Sequence, residues 1–209
     1  MSYQHNETDE IIYWQLAENW LKTGNYSLQG TEILKSLPAY VYDRQLFHHP
    51  PLFSLLLIPF VIMKAKKLAI IISWLGHLLC IVSVALVGRS ILTSRSQFSV
   101  KSNLFWIPLI SITFDPLLIF ISRKLWIDSL LSGLVALSVA LFYSVCKSDI
   151  DYRHKKYGLI AAGIALGLAA LCKLTALIVT PVIIYILITS FQTSRERWKL
   201  KRRLYSVYP

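Results

Sequence analysis

From Leu68 to Gly88 the chain runs for twenty-one residues without a single Asp, Glu, Lys or Arg. A segment of that length and character fits the hydrocarbon core of a bilayer, where no water is available to satisfy a bare peptide group, so it has to be a helix. His77 and Cys80 are its only titratable side chains. A single histidine on such a segment reads first as a packed, hydrogen-bonded core residue.

The same pattern returns downstream. Further apolar stretches occupy Asn103 to Ile121, Leu125 to Cys146, Tyr157 to Cys172 and Leu174 to Phe191, the last two turning tightly at Lys173. Five spans are therefore expected, in keeping with 55% apolar residues and a mean hydropathy of +0.53. The net charge of +11 does not argue for nucleic acid, because thirteen of the twenty-two basic residues lie in the connections 89–102 and 147–156 and after Phe191. If the spans alternate, these three segments share one face, which the positive-inside rule makes cytoplasmic. The first fifty residues, with six acidic against three basic groups, then lie outside. The cluster Lys64, Lys66, Lys67 falls on that outer side as well.

Before the spans the chain has a different character. Its opening, MSYQHNETDE, lacks the basic start and apolar run of a signal peptide. Ile11, Ile12, Trp14, Leu16, Ala17, Trp20 and Leu21 then recur at helical spacing, with Gly24 as the stop, which predicts a short amphipathic helix at a membrane interface. Residues 25–49 read as a structured loop. The run PLFSLLLIPFVIM begins at Pro51 and reaches only about 20 Å, too short to span a core of about 30 Å. It is expected as a half-inserted or juxtamembrane helix. The fold class is accordingly all-α, a multi-pass transmembrane helical bundle with an extracytoplasmic loop bearing juxtamembrane helices. Residues 1–67 form that loop region, 68–191 the five-helix membrane region, and 192–209 a basic cytoplasmic tail.

Under this topology Asp9, Glu10, His48, His49, Arg123, Lys124, Asp128 and Lys173 converge on the outer face. Ionisable groups near membrane depth tend to mark substrate or ion paths. Asp128 is the most conspicuous, three residues into a span, where it could face a cavity near the interface; the alternative is an ion pair from Arg123 or Lys124 that merely anchors the helix end. Asp115 before Pro116 reads as structural, ending or kinking its span. Gly163 and Gly167, extended by Ala170, read as a close helix-packing face. Cys80, Cys146 and Cys172 show neither disulfide nor metal spacing and read as buried thiols. Carboxylates beside basic groups suit transfer from a phosphate-linked donor, the carboxylate taking a hydroxyl proton while a cation meets the departing phosphate.

Four stretches then carry a resemblance. DEIIYWQLAENWLKTGNYSL, with Asp9, Glu10, Tyr13, Gly24 and Tyr26, is similar to the first extracytoplasmic loop of C-type fold polyprenol-phosphate-sugar glycosyltransferases, a group that includes the protein O-mannosyltransferases and the aminoarabinose transferases of lipid A. HHPPLFSLLL resembles their juxtamembrane helix, SRKLWIDSLLS their second Asp loop, and GIALGLAALCKLTALIVTPV their Lys-containing hairpin. The four stand in the family's order over about 175 residues.

The resemblance implies an integral membrane enzyme, in the plasma (inner) membrane if prokaryotic, that moves a sugar with inversion from a polyprenyl or dolichyl phosphate. The acceptor would be a lipid, glycan or protein on the extracytoplasmic side. It implies Asp9 as general base or acceptor-orienting carboxylate and Asp128 as a second active-site acid. Glu10 and His49 would shape the acceptor side or a divalent-metal position that only some members use, and Lys173, Arg123 and Lys124 would face the donor phosphate. No cofactor is certain, and no tight metal-ligand spacing such as His-x-x-x-His appears. Against the family pattern the chain corresponds to an N-terminal half. The alternative is a non-catalytic multi-pass protein, a degenerate fragment or a docking subunit. A transporter would have only His77, Asp115 and Asp128 with which to line a path.

Overall fold

The computed structural model describes residues 5–31, 33, 50–93, 102–147 and 152–189, and His48 and His49 lie outside them. Most of the described residues are helical, with no strand among them. Helix α1 is His5–Thr23 and α2 is Leu52–Ile62. A 3-10 turn, Lys66–Ile70, leads directly into α3, Ile71–Thr93. There follow α4 (Ser102–Thr113), α5 (Pro116–Ser122), α6 (Ile127–Lys147) and α7 (Tyr152–Cys172). The last, α8, is Leu174–Thr189, whose first six residues form a 3-10 turn.

Three helical segments are long and apolar enough to cross a bilayer, Lys66–Ile91, Ile127–Lys147 and Lys155–Cys172. A fourth crossing is available if α4 and α5, bent by 42° about the break between them, act as one. The break has a local cause. Pro116 has no N–H to continue the helix, and Asp115, in extended backbone, caps α5 by accepting the Leu118 N–H at 2.8 Å. Asp115 is thus structural, as its Asp-Pro context indicated. The eleven residues of α2 reach about 16 Å and make a short apolar helix, as the proline-bounded run implied.

The tightest packing joins α3 to α6 through backbone. A Cβ at Gly76 would strike the Ser129 carbonyl, and one at Gly133 the Gly76 carbonyl. The Ser129 hydroxyl donates to the Ser73 carbonyl at 2.6 Å across the same seam. In lipid, where apolar side chains gain little by leaving the solvent, such backbone approach and interhelical hydrogen bonding hold helices together. Against α6, α7 presents buried Ala162, Ala165 and Ala169, and the Ser138 hydroxyl donates to the Ala162 carbonyl at 2.9 Å.

This corrects one expectation. Gly163 and Gly167 are exposed and a Cβ on either meets nothing within 4 Å, so they are not the packing face. Small residues occupy both sides of α7, and the alanine stripe at helical spacing is the one that packs. His77 is 4% exposed, and its Nε2 donates to the Ile112 carbonyl at 3.1 Å, the packed core role expected of it.

One end of the bundle holds a continuous apolar core. Leu16 and Ala17 of α1, Phe53 and Leu57 of α2, Ile72 of α3, Ile127 and Leu130 of α6, and Cys172 of α7 are all buried in it. Tyr13 meets Phe53 edge-on with ring centroids 5.1 Å apart. Gly24, at φ +75°, ends α1 and returns its N–H to the Trp20 carbonyl at 2.9 Å. The core clamps α1 and α2 onto the starts of α3 and α6 and the end of α7.

Candidate active site

At that end of the bundle two helix ends face each other. Asp128 lies in the first turn of α6, where Ile127 and Leu130 on either side of it point into the core and leave the carboxylate half exposed. Lys173 sits where α7 gives out. Its N–H still reaches the Ala169 carbonyl at 3.0 Å, but its own backbone is extended (φ −156°, ψ 128°), which carries the side chain off the helix axis. The Lys173 ammonium meets Asp128 Oδ1 at 3.3 Å. An ion pair this open adds at most about 1 kcal/mol to the fold.

Asp9 completes the cluster from α1. Partial burial, the neighbouring Asp128 charge and, in the opposite sense, the Lys173 ammonium act on its carboxyl, and the net result is a pKa above the ordinary value. One side of Asp9 is open to solvent. The surrounding protein still removes part of its hydration, which explains how an exposed group carries a burial cost. Three residues drawn from α1, the first turn of α6 and the break after α7 thus share one electrostatic site, two carboxylates about one ammonium.

Glu10, the next residue, faces another way. Its Oε1 accepts the Leu125 N–H at 3.0 Å and so pins α1 to the turn that leads into α6. That bond fixes the approach of Asp128 to Asp9. Sequence reasoning gave Glu10 a substrate-facing role and missed this contact, which joins a side chain to a backbone group and has no sequence signature.

Arg123 and Lys124 lie in that same turn. Arg123 is exposed beyond the end of α5. The Lys124 ammonium stands 4.8 Å from the Phe120 ring centroid and 5.1 Å from that of Trp126. The ion partner of Asp128 is Lys173, and not Arg123 or Lys124, which the alternative reading of Asp128 as a helix-end anchor would have used. Beside them the Trp126 indole N–H is buried with no hydrogen-bond partner among the described residues. His49 lies outside the described residues.

Among the described residues no three His, Cys, Asp or Glu groups come together as a metal site would require. The cluster offers two carboxylates, and an ammonium already sits as their counter-cation. The arrangement can accept a proton on carboxylate oxygen and bring a cation to an anionic ligand.

A model of glycosyltransferase family 87 matches residues 47–198, well over half of the chain. The chain belongs to glycosyltransferase family 87. It is a membrane glycosyltransferase, as the stacked apolar helices and the family together require. The matched stretch contains His49, Arg123, Lys124, Asp128 and Lys173, while Asp9 and Glu10 precede it and are joined to it by the contacts above. No curated protein and no solved structure matches this family 87 chain.

Proposed function

We propose that this family 87 protein transfers a sugar from a polyprenyl phosphate to an acceptor hydroxyl at the extracytoplasmic surface of the membrane. In this reaction the acceptor oxygen bonds to the anomeric carbon, the bond from that carbon to the phosphate oxygen breaks, and polyprenyl phosphate leaves as the anion. Asp9 takes the acceptor proton. Its raised pKa suits a base, since a carboxylate partly stripped of water holds a proton more readily than an ordinary one. Lys173 meets the charge that grows on the departing phosphate. Asp128 holds Lys173 until the donor arrives and orients the acceptor side with Asp9.

The observation that carries this reading is the Lys173 to Asp128 contact at 3.3 Å with Asp9 within their field. The sidedness is supported by the path of the chain. Helices α3 and α6 start at the cluster end and α7 finishes there, so Arg89 late in α3, Lys147 at the end of α6 and Lys155 and Lys156 early in α7 belong to the opposite end. Positive charge favours the cytoplasmic face, which leaves the cluster outside.

The experiment is a transfer assay on the chain reconstituted in lipid nanodiscs, offering polyprenyl-phosphate hexoses or nucleotide hexoses as labelled donors. Label passing to an acceptor from the lipid phosphate, with release of polyprenyl phosphate, supports the reading. Transfer from nucleotide sugars alone contradicts it.

A further inference from the structure

The corner between α2 and α3 carries three ammonium groups in four positions, Lys64, Lys66 and Lys67, all of them exposed. None pairs with a carboxylate among the described residues. The sequence itself holds no Asp or Glu between Asp43 and Asp115. On either side of the lysines the apolar side chains are just as open. Ile62 and Met63 before them, and Leu68 and Ile71 after them, each leave more than half of their surface uncovered.

These two kinds of exposure are satisfied together at only one depth. Bulk water would oppose the four open apolar side chains, and hydrocarbon would oppose the three ammoniums. At the boundary the apolar groups meet acyl chains while the long lysine stems carry their charges to the headgroups. The path of the chain agrees, because Lys66 and Lys67 stand at the first turn of Lys66–Ile91, a segment long enough to cross the bilayer.

The backbone at Lys64 adds an independent observation. Past the end of α2 the Lys64 N–H returns to the Val61 carbonyl at 3.0 Å and the Ala65 N–H to the Phe60 carbonyl at 2.9 Å. That pair of bonds places the residue between them in the left-handed region, where glycine fits best because an L side chain crowds its neighbouring carbonyl. Here the position holds Lys64, at φ +52°, the one non-glycine residue with positive φ among the described residues. Strain of this kind gathers where a side chain holds a ligand.

Three ammoniums at headgroup depth call for an anion, and the anion that fills this layer is the phosphate of a phospholipid. A headgroup with net negative charge fits better than a zwitterionic one, which brings an ammonium of its own. We propose that this corner binds an anionic phospholipid of the surrounding bilayer. Its phosphodiester lies against Lys64, Lys66 and Lys67, and its acyl chains run along the open apolar side chains beside them. This lipid is no substrate of the transfer, and its binding does not rest on the transfer reading or on which face this end of the bundle occupies.

The test is photo-crosslinking of the full chain in nanodiscs, with phosphatidylglycerol and phosphatidylcholine carrying the same acyl diazirine and the labelled peptides mapped by mass spectrometry. Phosphatidylglycerol should label residues 62–71 about tenfold more than phosphatidylcholine does. Replacing Lys64, Lys66 and Lys67 by Gln together should remove that excess, whereas Gln at Lys147, Lys155 and Lys156, at the other end of the bundle, should leave it. Lys64→Gly should lower the excess about fivefold, the scale of one lysine at an anionic surface, and raise the unfolding temperature, because glycine accepts this φ freely. This variant serves if the triple one does not fold. Unlabelled phosphatidylglycerol should compete, and inorganic phosphate, which lacks acyl chains, should not. Equal labelling by the two lipids, or an excess that survives loss of the three lysines, overturns the proposal. So does competition by inorganic phosphate, or by polyprenyl phosphate more strongly than by phosphatidylglycerol, which would make the corner a donor site.

Discussion

The Lys173 ammonium lies 3.3 Å from the Asp128 carboxylate, tying the break after α7 to the first turn of α6. Both side chains keep substantial exposure, 31% and 50%. The pair is therefore a poor strut and a good place to receive a charged ligand. Lys173→Met should lower transfer about 100-fold, the scale of losing one group that meets developing charge, yet shift stability by less than about 1 kcal/mol. Activity in nanodiscs and thermal unfolding of the same sample check both halves. A loss of several kcal/mol with activity per folded molecule intact would make the pair structural instead.

Asp9 gives the reaction a pH signature. Its pKa is raised first by burial and next by Asp128, while Lys173 pulls it down. A base must be ionised, so kcat/KM should fall as pH drops through a midpoint above that of an ordinary aspartate. Lys173→Met should move this acid limb up and Asp128→Asn should move it down, because each removes one neighbour of known sign. Stability runs oppositely to activity. A carboxyl with a raised folded pKa stabilises the fold fully below its unfolded pKa, and that contribution is lost as pH rises through the folded one. Opposite movements of the limb in the two variants are the diagnostic, read from pH profiles of residual transfer.

Glu10 separates positioning from contact with the acceptor. Glu10→Ala removes the acceptor for the Leu125 N–H and should cost about 1 kcal/mol and lower kcat, since the turn before Asp128 loses its tie to α1. Glu10→Gln keeps an oxygen in place and should recover most of both. Equal damage from the two substitutions, appearing as a rise in KM, would return Glu10 to the acceptor side.

The helix seam makes a mechanical prediction. Gly76→Ala or Gly133→Ala forces α3 from α6, because the added carbon meets backbone carbonyls that have no rotamer to yield, and should cost about 1–3 kcal/mol. Gly163→Ala points into open space and should be neutral or stabilising by up to about 1 kcal/mol, as alanine is the better helix former. Unfolding of the three variants in one detergent ranks them. The reverse order would restore the Gly163 and Gly167 face as the packed one.

Much of this architecture could be read from the chain because a bilayer imposes its pattern coarsely. Runs such as Leu68 to Gly88 announce themselves by length, and alternating spans already bring Asp9, Asp128 and Lys173 to one end. What escaped reading depends on which face of a helix looks where. Gly163 and Gly167 have the spacing of a packing motif, but Ala162, Ala165 and Ala169 have an equally good one, and composition cannot choose between two small-residue stripes. Gly76 and Gly133 lie in separate helices, neither in a small-residue motif with another glycine, and are paired only by the fold. Asp128 had two cations within five residues, and its partner proved to be the one forty-five residues away, because the extended backbone at Lys173 aims its side chain there. The Glu10 tie to Leu125 ends on a backbone N–H, which every residue but proline possesses.

The central claim is that Asp9 is the base of a lipid-phosphate-dependent sugar transfer, and Asp9→Asn measures it most directly. The variant keeps the shape of the side chain and removes its ability to take a proton. Reconstituted beside wild type with the same polyprenyl-phosphate donor, it should insert and unfold as wild type does and transfer sugar about 100- to 10,000-fold more slowly. Undiminished transfer by a correctly inserted Asp9→Asn protein would contradict the account.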